Sequence, residues 1–308
     1  MPVKCRKCQS AKAEVIIPYA RLSLCPNCFS EFYVSRIKKT VKEFNMFNEN
    51  DIVGVAVSGG KDSMALIYAL RQAYPKLKVK ALHINLGIPE YSAHCQTKVE
   101  ALTKSLNVDL HIFDLKSKLG FSIDEFKKTV HGGKICSVCG TIKRHVFEEL
   151  ACSHGVNVLA TGHNMNDILA FMFKNFLYGK WDQLVRLKPV LPPLAEAMPR
   201  KVKPLLRSPE NENLLYCLHN EIPFREKNCP FSSEIKGRKY QKAIEAMVPY
   251  NPHFLHQLLN RFLEIIPLLE DKLTKPALMR CKQCGFPSSS EICAYCRRIS
   301  LIKMGKID

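Results

Sequence analysis

No stretch of this chain holds 18 consecutive apolar residues, so no transmembrane helix is expected. No apolar signal core follows Met1-Pro-Val-Lys-Cys5, which predicts a protein that stays in the cytosol. Low-complexity tracts are absent. Acidic residues are in short supply: 28 Asp and Glu stand against 46 Lys and Arg, for a formal charge of +18. Hydrophobic residues make up 46% and aromatics 9% of the 308 positions, which excludes a disordered chain. That length accommodates one α/β domain with smaller appendages.

The basic excess gathers at Arg36-Ile-Lys-Lys39 with Lys42, Lys143-Arg144, Arg200-Lys-Val-Lys203, Lys236-Gly-Arg-Lys239 and Arg297-Arg298. Such a field favours a polyanion, nucleic acid being the usual one. The plain alternative is a solvated basic surface.

What is abundant is cysteine. Fourteen in a cytosolic protein point to metal rather than disulfides. Cys5, Cys8, Cys25 and Cys28 form C-x2-C-x16-C-x2-C; Cys281, Cys284, Cys293 and Cys296 form C-x2-C-x8-C-x2-C. Each set can close a tetrahedral S4 site, which selects structural zinc; a rubredoxin-type iron site is the alternative. Two zinc ions on eight thiolates would lower the net charge to about +14. Buried apolar cysteines would not recur as two paired C-x2-C sets.

Residues 52–57, Ile-Val-Gly-Val-Ala-Val, read as a buried parallel strand. Ser58-Gly59-Gly60-Lys61-Asp62-Ser63 follows, and then a helical pattern opens at once. Glycines let the backbone approach a ligand closely. The N–H groups of the helix start, its dipole and Lys61 favour a phosphate. The spacing is not that of a Walker A loop. The bland reading is a glycine turn that binds nothing. The loop resembles the PP-loop of ATP pyrophosphatases, in which ATP is cut between its α- and β-phosphates and AMP passes to a carbonyl oxygen of the substrate.

Strands are expected at 52–57, 79–86, 108–114 and 156–161, with a short one at 202–206; helices are expected at 62–73, 92–106, 122–130, 137–153 and 165–178. The alternation implies an α/β fold: a doubly wound parallel sheet, PP-loop and Rossmann-like, flanked by N- and C-terminal zinc ribbons. Ligands of such sheets bind beyond the carboxyl ends of the strands, so the loops after 52–57, 79–86 and 156–161 should meet. The expected domains are a ribbon at 1–30, an ATP-binding domain at 31–235 entered by a basic helix at 31–48, a helical extension at 236–278 and a second ribbon at 279–308. The Pro-rich residues 181–200 read as a loop, and 236–272 as amphipathic helix.

Six cysteines remain. Cys95, Cys152 and Cys217 lie in helical or apolar contexts and read as ordinary buried cysteines. Cys136-Ser-Val-Cys139 opens a helix carrying Lys143 and Arg144, and Cys229 stands alone before Pro230. Three such thiolates suit either a cubane cluster with one iron open or a redox dithiol.

Taken together, the Ser58–Ser63 loop, Cys136 to Arg144, Gly162-His-Asn-Met-Asn-Asp167, Cys229-Pro230 and the flanking ribbons resemble the TtcA/TtuA family of tRNA 2-thiolation enzymes, and the TtuA branch most. The resemblance runs over nearly the whole chain in order. It implies a 4Fe–4S cluster on Cys136, Cys139 and Cys229, and Lys143 and Asp167 as catalytic residues. It also implies ATP, with Mg²⁺, held by Ser58, Gly59, Gly60, Lys61, Asp62, Ser63 and Gly162, with Ala56 and His83 beside them. Where the family often has Asp-Asp, this chain has Asn166-Asp167, which bears on magnesium. His163 and His83 are read as hydrogen-bonding residues.

The implied activity is ATP-dependent tRNA uridine 2-sulfur transfer: the C2 oxygen is adenylated and then replaced by sulfur. The T-loop uridine or 5-methyluridine is the first choice of target and the anticodon wobble uridine the second. The donor would be a thiocarboxylated ubiquitin-like carrier protein or free sulfide. The enzyme would be cytoplasmic, a homodimer, and independent of membranes. One rival is a PP-loop amidating ligase, which needs no cysteine triad; another is a zinc-ribbon RNA-binding scaffold with a vestigial loop, against which Lys61, Asp62, Lys143 and Asp167 speak.

Overall fold

Alternate side chains of Ile52–Val57 (β3) decide the layering. Val53, Val55 and Val57 are fully buried in one core cluster, while Ile52 and Ala56 pack into another on the opposite face. This period of two, with both faces apolar, is what a central parallel strand requires. Burying each valine contributes about 1.5–3 kcal/mol relative to leaving it exposed.

A computed structural model describes residues 3–129, 132–232, 237–274 and 277–304. Ahead of β3 lie a hairpin, Val15–Ile17 (β1) with Leu22–Leu24 (β2), and helix Pro26–Glu43 (α1). After it come Lys61–Ala73 (α2), Lys78–Asn85 (β4), Tyr91–Ser105 (α3), Asp109–Asp114 (β5), Leu115–Leu119 (α4) and Ile135–Ser153 (α5). Then follow Val158–Thr161 (β6), Met165–Leu177 (α6), Trp181–Val185 (α7), Val190–Leu191 (β7), Arg200–Val202 (β8) and Glu210–His219 (α8). The chain ends with Gly237–Glu245 (α9), Phe254–Glu270 (α10), Met279–Arg280 (β9), Pro287–Ser288 (β10) and Ala294–Met304 (α11).

The six-stranded sheet has the order β5-β4-β3-β6-β8-β7, all parallel except β7, which runs antiparallel to β8 at the edge. The order reverses between β4 and β6 around β3, and that switch point is where such sheets bind ligands. Five expected segments differ. The basic helix expected at 31–48 runs over Pro26–Glu43 instead, starting inside the N-terminal cysteine set. Residues 123–128 form a 3-10 turn rather than a helix over 122–130, whose last residue is outside the described ones. The last parallel strand is Arg200–Val202 instead of 202–206, because Pro204 cannot donate to a ladder. The 181–200 loop holds α7 and β7. Residues 236–272 form two helices, α9 and α10; Lys236 and the 235/236 boundary lie outside the described residues.

The ribbons are built into the body. Tyr33 of α1 is fully buried, stacks on Tyr216 of α8 at 4.1 Å between ring centroids, and donates to Asn213 Oδ1 at 2.7 Å. Arg36 and Tyr19 both reach the buried Glu212 carboxylate at 2.7 Å. On the other face, Tyr295 of α11 stacks on His145 of α5 at 3.7 Å. Among the described residues no helix is long and apolar enough to cross a membrane.

Candidate nucleotide and metal centre

Gly59 has a positive φ of +76°, and a β-carbon there would come within 2.9 Å of the Cys95 carbonyl oxygen, so only glycine fits. The loop then folds on itself. Ser58 N–H donates to Ser63 Oγ at 3.0 Å, and Ser63 Oγ donates to Gly60 O at 3.1 Å. Gly60 precedes the first turn of α2, whose free backbone N–H groups and dipole favour an anion there. Gly162 lets the end of β6 press against that turn: a β-carbon there would lie 2.9 Å from Ser63 N.

Three loops converge on Asp62. Its Oδ1 accepts from Asn164 Nδ2 at 3.1 Å and from Asn213 Nδ2 at 2.8 Å. Lys61 Nζ donates to Asp62 Oδ2 at 3.2 Å and to Glu210 Oε1 at 2.7 Å. Burial opposes the Lys61 charge, but the two carboxylates outweigh it and its pKa is raised. Asn164 caps α6 by accepting from Asp167 N–H at 2.9 Å. The Asp167 carboxyl is pushed up to about 7, first by burial and then by the charges of Asp62 and Glu210. Asp62 and Glu210 thus share one lysine, and Asp167 feels the charge of all three.

On the other side of the loop is a cleft of about 40 Å³, lined among others by Ser58, His83, Tyr91, Cys95, Lys143 and Phe147. His83 is 2% exposed, and its Nδ1 lies 2.9 Å from Val57 O. That carbonyl acceptor places the proton on Nδ1 and leaves Nε2, which has no partner, as an acceptor. Burial lowers its pKa, so the ring is neutral. Ala56, paired with Leu82 and Thr161 across the sheet, ends in the same region. His163 hydrogen-bonds Thr161 Oγ1 at 2.8 Å.

Cys136, Cys139 and Lys143 follow the first turns of α5, and Cys229 approaches on the segment after α8. Burial raises the Cys139 pKa, while the charge of Lys143 lowers it and that of Cys229 raises it. Cys136 Sγ donates to Phe231 O at 3.2 Å. The C-terminal ribbon braces this turn, since Arg298 Nη1 donates to Ser137 O at 3.0 Å, between the two cysteines.

The two outer sets have another geometry. In each, all four sulfurs lie within 4.8 Å of one another. Cys8 and Cys25 are 4.0 Å apart at sulfur, Cys281 and Cys296 3.8 Å, and Cys284 and Cys293 3.7 Å. A tetrahedral zinc with bonds of ~2.3 Å spaces its sulfurs by ~3.8 Å. The two sets therefore fit zinc. The inner three cysteines form no group so tight among the described residues. A cubane, whose ligands bind different irons, spreads its thiolates more widely and suits them better.

Several residues at the site carried no motif. Glu210 and Asn213 arrive on α8, Arg225 on the segment before Cys229, and Cys95, expected to be an ordinary buried cysteine, lies against Gly59 and lines the cleft. The helix-start signature Ser208-Pro209-Glu210 was the one available signal for the first two.

Comparison with known proteins agrees with this geometry. A family model described as a PP-loop domain matches residues 31–236. A second, described as the N-terminal LIM domain of 2-thiouridine synthetase TtuA, matches residues 4–30. The tRNA-5-methyluridine(54) 2-sulfurtransferase of Thermotoga maritima is 33% identical over 296 residues, covering 96% of this chain and 95% of that protein. The protein of the same name from Thermus thermophilus is 34% identical over 294 residues, covering 95% and 90%. Among solved structures, the U34-tRNA thiolase NcsA from Methanococcus maripaludis with its [4Fe-4S] cluster superposes with a TM-score of 0.80 over 96% of this chain and 94% of that one. At 24% identity that likeness speaks to the fold. With two thirds of its length matched by the PP-loop model and its whole length paralleled by these relatives, the chain belongs to the PP-loop family and, within it, to the TtuA branch of the tRNA 2-thiolation enzymes.

Proposed function

We propose that this chain is an ATP-dependent tRNA uridine 2-sulfurtransferase acting on the T-loop uridine or 5-methyluridine. The observation that carries the reading is one cleft with Ser58 of the phosphate loop on one wall and Lys143, from the helix that also bears Cys136 and Cys139, on another. A uracil C2 carbonyl is a poor electrophile, and AMP transferred to O2 becomes its leaving group. The Ser58–Ser63 loop and Lys61 hold the polyphosphate. Asp62 and Asp167 hold Mg²⁺ against it, and Lys143 offsets charge at the reacting phosphate. Gly162 gives the nucleotide room at the carboxyl edge of the sheet, where Ala56 and His83 border it. When bound, a 4Fe–4S cluster on Cys136, Cys139 and Cys229 supplies an iron able to carry the incoming sulfur. Lys143 stands between that site and the nucleotide and can serve both.

The basic clusters suit tRNA backbone, which positions a substrate without reading it. Two zinc ribbons bracket a nucleotide-binding body at 31–235 and a helical extension at 236–278, as the sequence pattern suggests. The sulfur comes from a thiocarboxylated carrier protein or free sulfide. Reduced thiolate sites suit the cytoplasm. The exposed Phe176, Leu177 and Tyr178 at the end of α6 support a homodimer. Mass spectrometry of nucleosides from digested individual tRNAs of a deletion strain tests the reading. Loss of 2-thiolation confined to the T-loop is expected; loss at the wobble position alone, or none, overturns it.

A further inference from the structure

Arg225 sits on the segment between α8 and Cys229, and its backbone N–H donates to Gly59 O at 2.8 Å. Its guanidinium lies over the Tyr91 ring, 4.7 Å from the centroid. A β-carbon built on Gly60, the residue that starts α2, would stand 3.7 Å from Arg225 Nη2. The side chain is thus held at the mouth of the phosphate loop by a backbone tether and an aromatic platform.

Two of its donors have nothing to bind. Nε and Nη1 are shielded from solvent and have no hydrogen-bond partner, and no carboxylate pairs with Arg225 among the described residues. Lys61, by contrast, is occupied by Glu210 and Asp62. Buried guanidinium donors without an acceptor are costly, and an arrangement that keeps them beside a helix N-terminus is one in which the acceptor arrives with the ligand. The neighbouring Cys95 thiol is no substitute, since burial raises its pKa and keeps it neutral. A planar fork also matches phosphate oxygens better than it matches a thiol.

We propose that Arg225 binds the β- and γ-phosphates of ATP as the second cation of the loop, in addition to Lys61. This rests on the nucleotide reading above. Because Cys229 lies four residues further on, a phosphate that fixes Arg225 also fixes the segment bearing that cysteine.

The test is calorimetric titration of the full-length, anaerobically purified protein and its Arg225→Gln and Arg225→Lys variants with ATP, AMP and pyrophosphate. Arg225→Gln keeps the backbone tether and should weaken ATP and pyrophosphate by about tenfold or more, the value of charge-assisted hydrogen bonds. AMP, which lacks those phosphates, should bind unchanged, and iron and zinc contents should stay as in the parent. Arg225→Lys should recover part of the loss and serves if the glutamine variant does not fold. Unchanged ATP binding in Arg225→Gln, with the parent binding normally, overturns the inference alone. Equal weakening of ATP and AMP overturns it as well. A parent that binds no ATP overturns both the inference and the nucleotide reading.

Discussion

Lys61 Nζ lies 2.7 Å from Glu210 Oε1, although 149 residues separate them. The ammonium of the phosphate loop is thus neutralised by the first turn of α8 until a phosphate takes it. Removing it does more than delete a contact, because Glu210 and Asp62 are left facing the phosphate unopposed. Lys61→Ala should lower ATP-to-AMP conversion by about 10²–10³-fold with the fold intact by circular dichroism. Adding Glu210→Gln to that variant should restore part of the rate. Undiminished AMP formation in Lys61→Ala would remove the loop from the chemistry.

Asp167 carries the most perturbed acid at the site, with a pKa near 7. A carboxyl must lose its proton before it binds a cation. Divalent-ion affinity of the nucleotide-free protein should therefore drop by about tenfold per pH unit below 7 and level off above it. Manganese binding followed by electron paramagnetic resonance between acid and alkaline pH measures this. Asp167→Asn should abolish the dependence; a flat profile in the parent removes Asp167 from the cation site.

His256 of α10 packs against Tyr19, 4.2 Å between ring centroids, and joins the helical extension to the N-terminal ribbon. Burial, followed by Arg36 and Arg207, pushes its pKa down to about 4. The unfolded value is near 6.5, so a folded chain holds the ring neutral where an unfolded chain would protonate it. The associated stability is present above pH ~6.5 and is lost as pH falls towards 4, on the order of 3 kcal/mol in all. His256→Phe keeps the ring without the charge. The urea midpoint should fall less between neutral and acid pH for the variant than for the parent; identical falls would contradict the assignment.

The outer and inner cysteines should separate by metal analysis. Cys284→Ala should release about one zinc and lower Tm by roughly 5 °C or more, since structural zinc is linked to folding. Cys139→Ala should keep both zinc ions, lose all iron and brown colour, and still bind ATP. Oxygen should bleach the parent without unfolding it. A colourless, iron-free parent that thiolates tRNA at full rate would make the inner cysteines a redox dithiol.

The parts of the site that were legible in the sequence are local ones. A strand, two glycines and a helix start lie side by side at 52–63, and each C-x2-C closes within one turn, so spacing alone carries their chemistry. Glu210, Asn213 and Arg225 were not legible, because their role comes from where α8 and the segment after it dock, and no periodicity records that. Cys95 looked like core for the same reason: its contact with Gly59 runs between the first turn of α3 and a loop more than thirty residues earlier. α7 escaped notice because five residues among prolines show no helical period. Two-residue β7 could not be read either, since its pairing with β8 is antiparallel at an edge where the alternation predicted only parallel strands.

Tyr33 of the ribbon helix donates to Asn213, and Asn213 in turn donates to Asp62. Helix α1, which carries Cys28 of the N-terminal cysteine set, is therefore the back wall of the phosphate loop. Cutting α1 away to obtain a minimal nucleotide-binding fragment would unseat the acid that steadies Lys61. A transplant of the loop into another scaffold must bring α1 and α8 along.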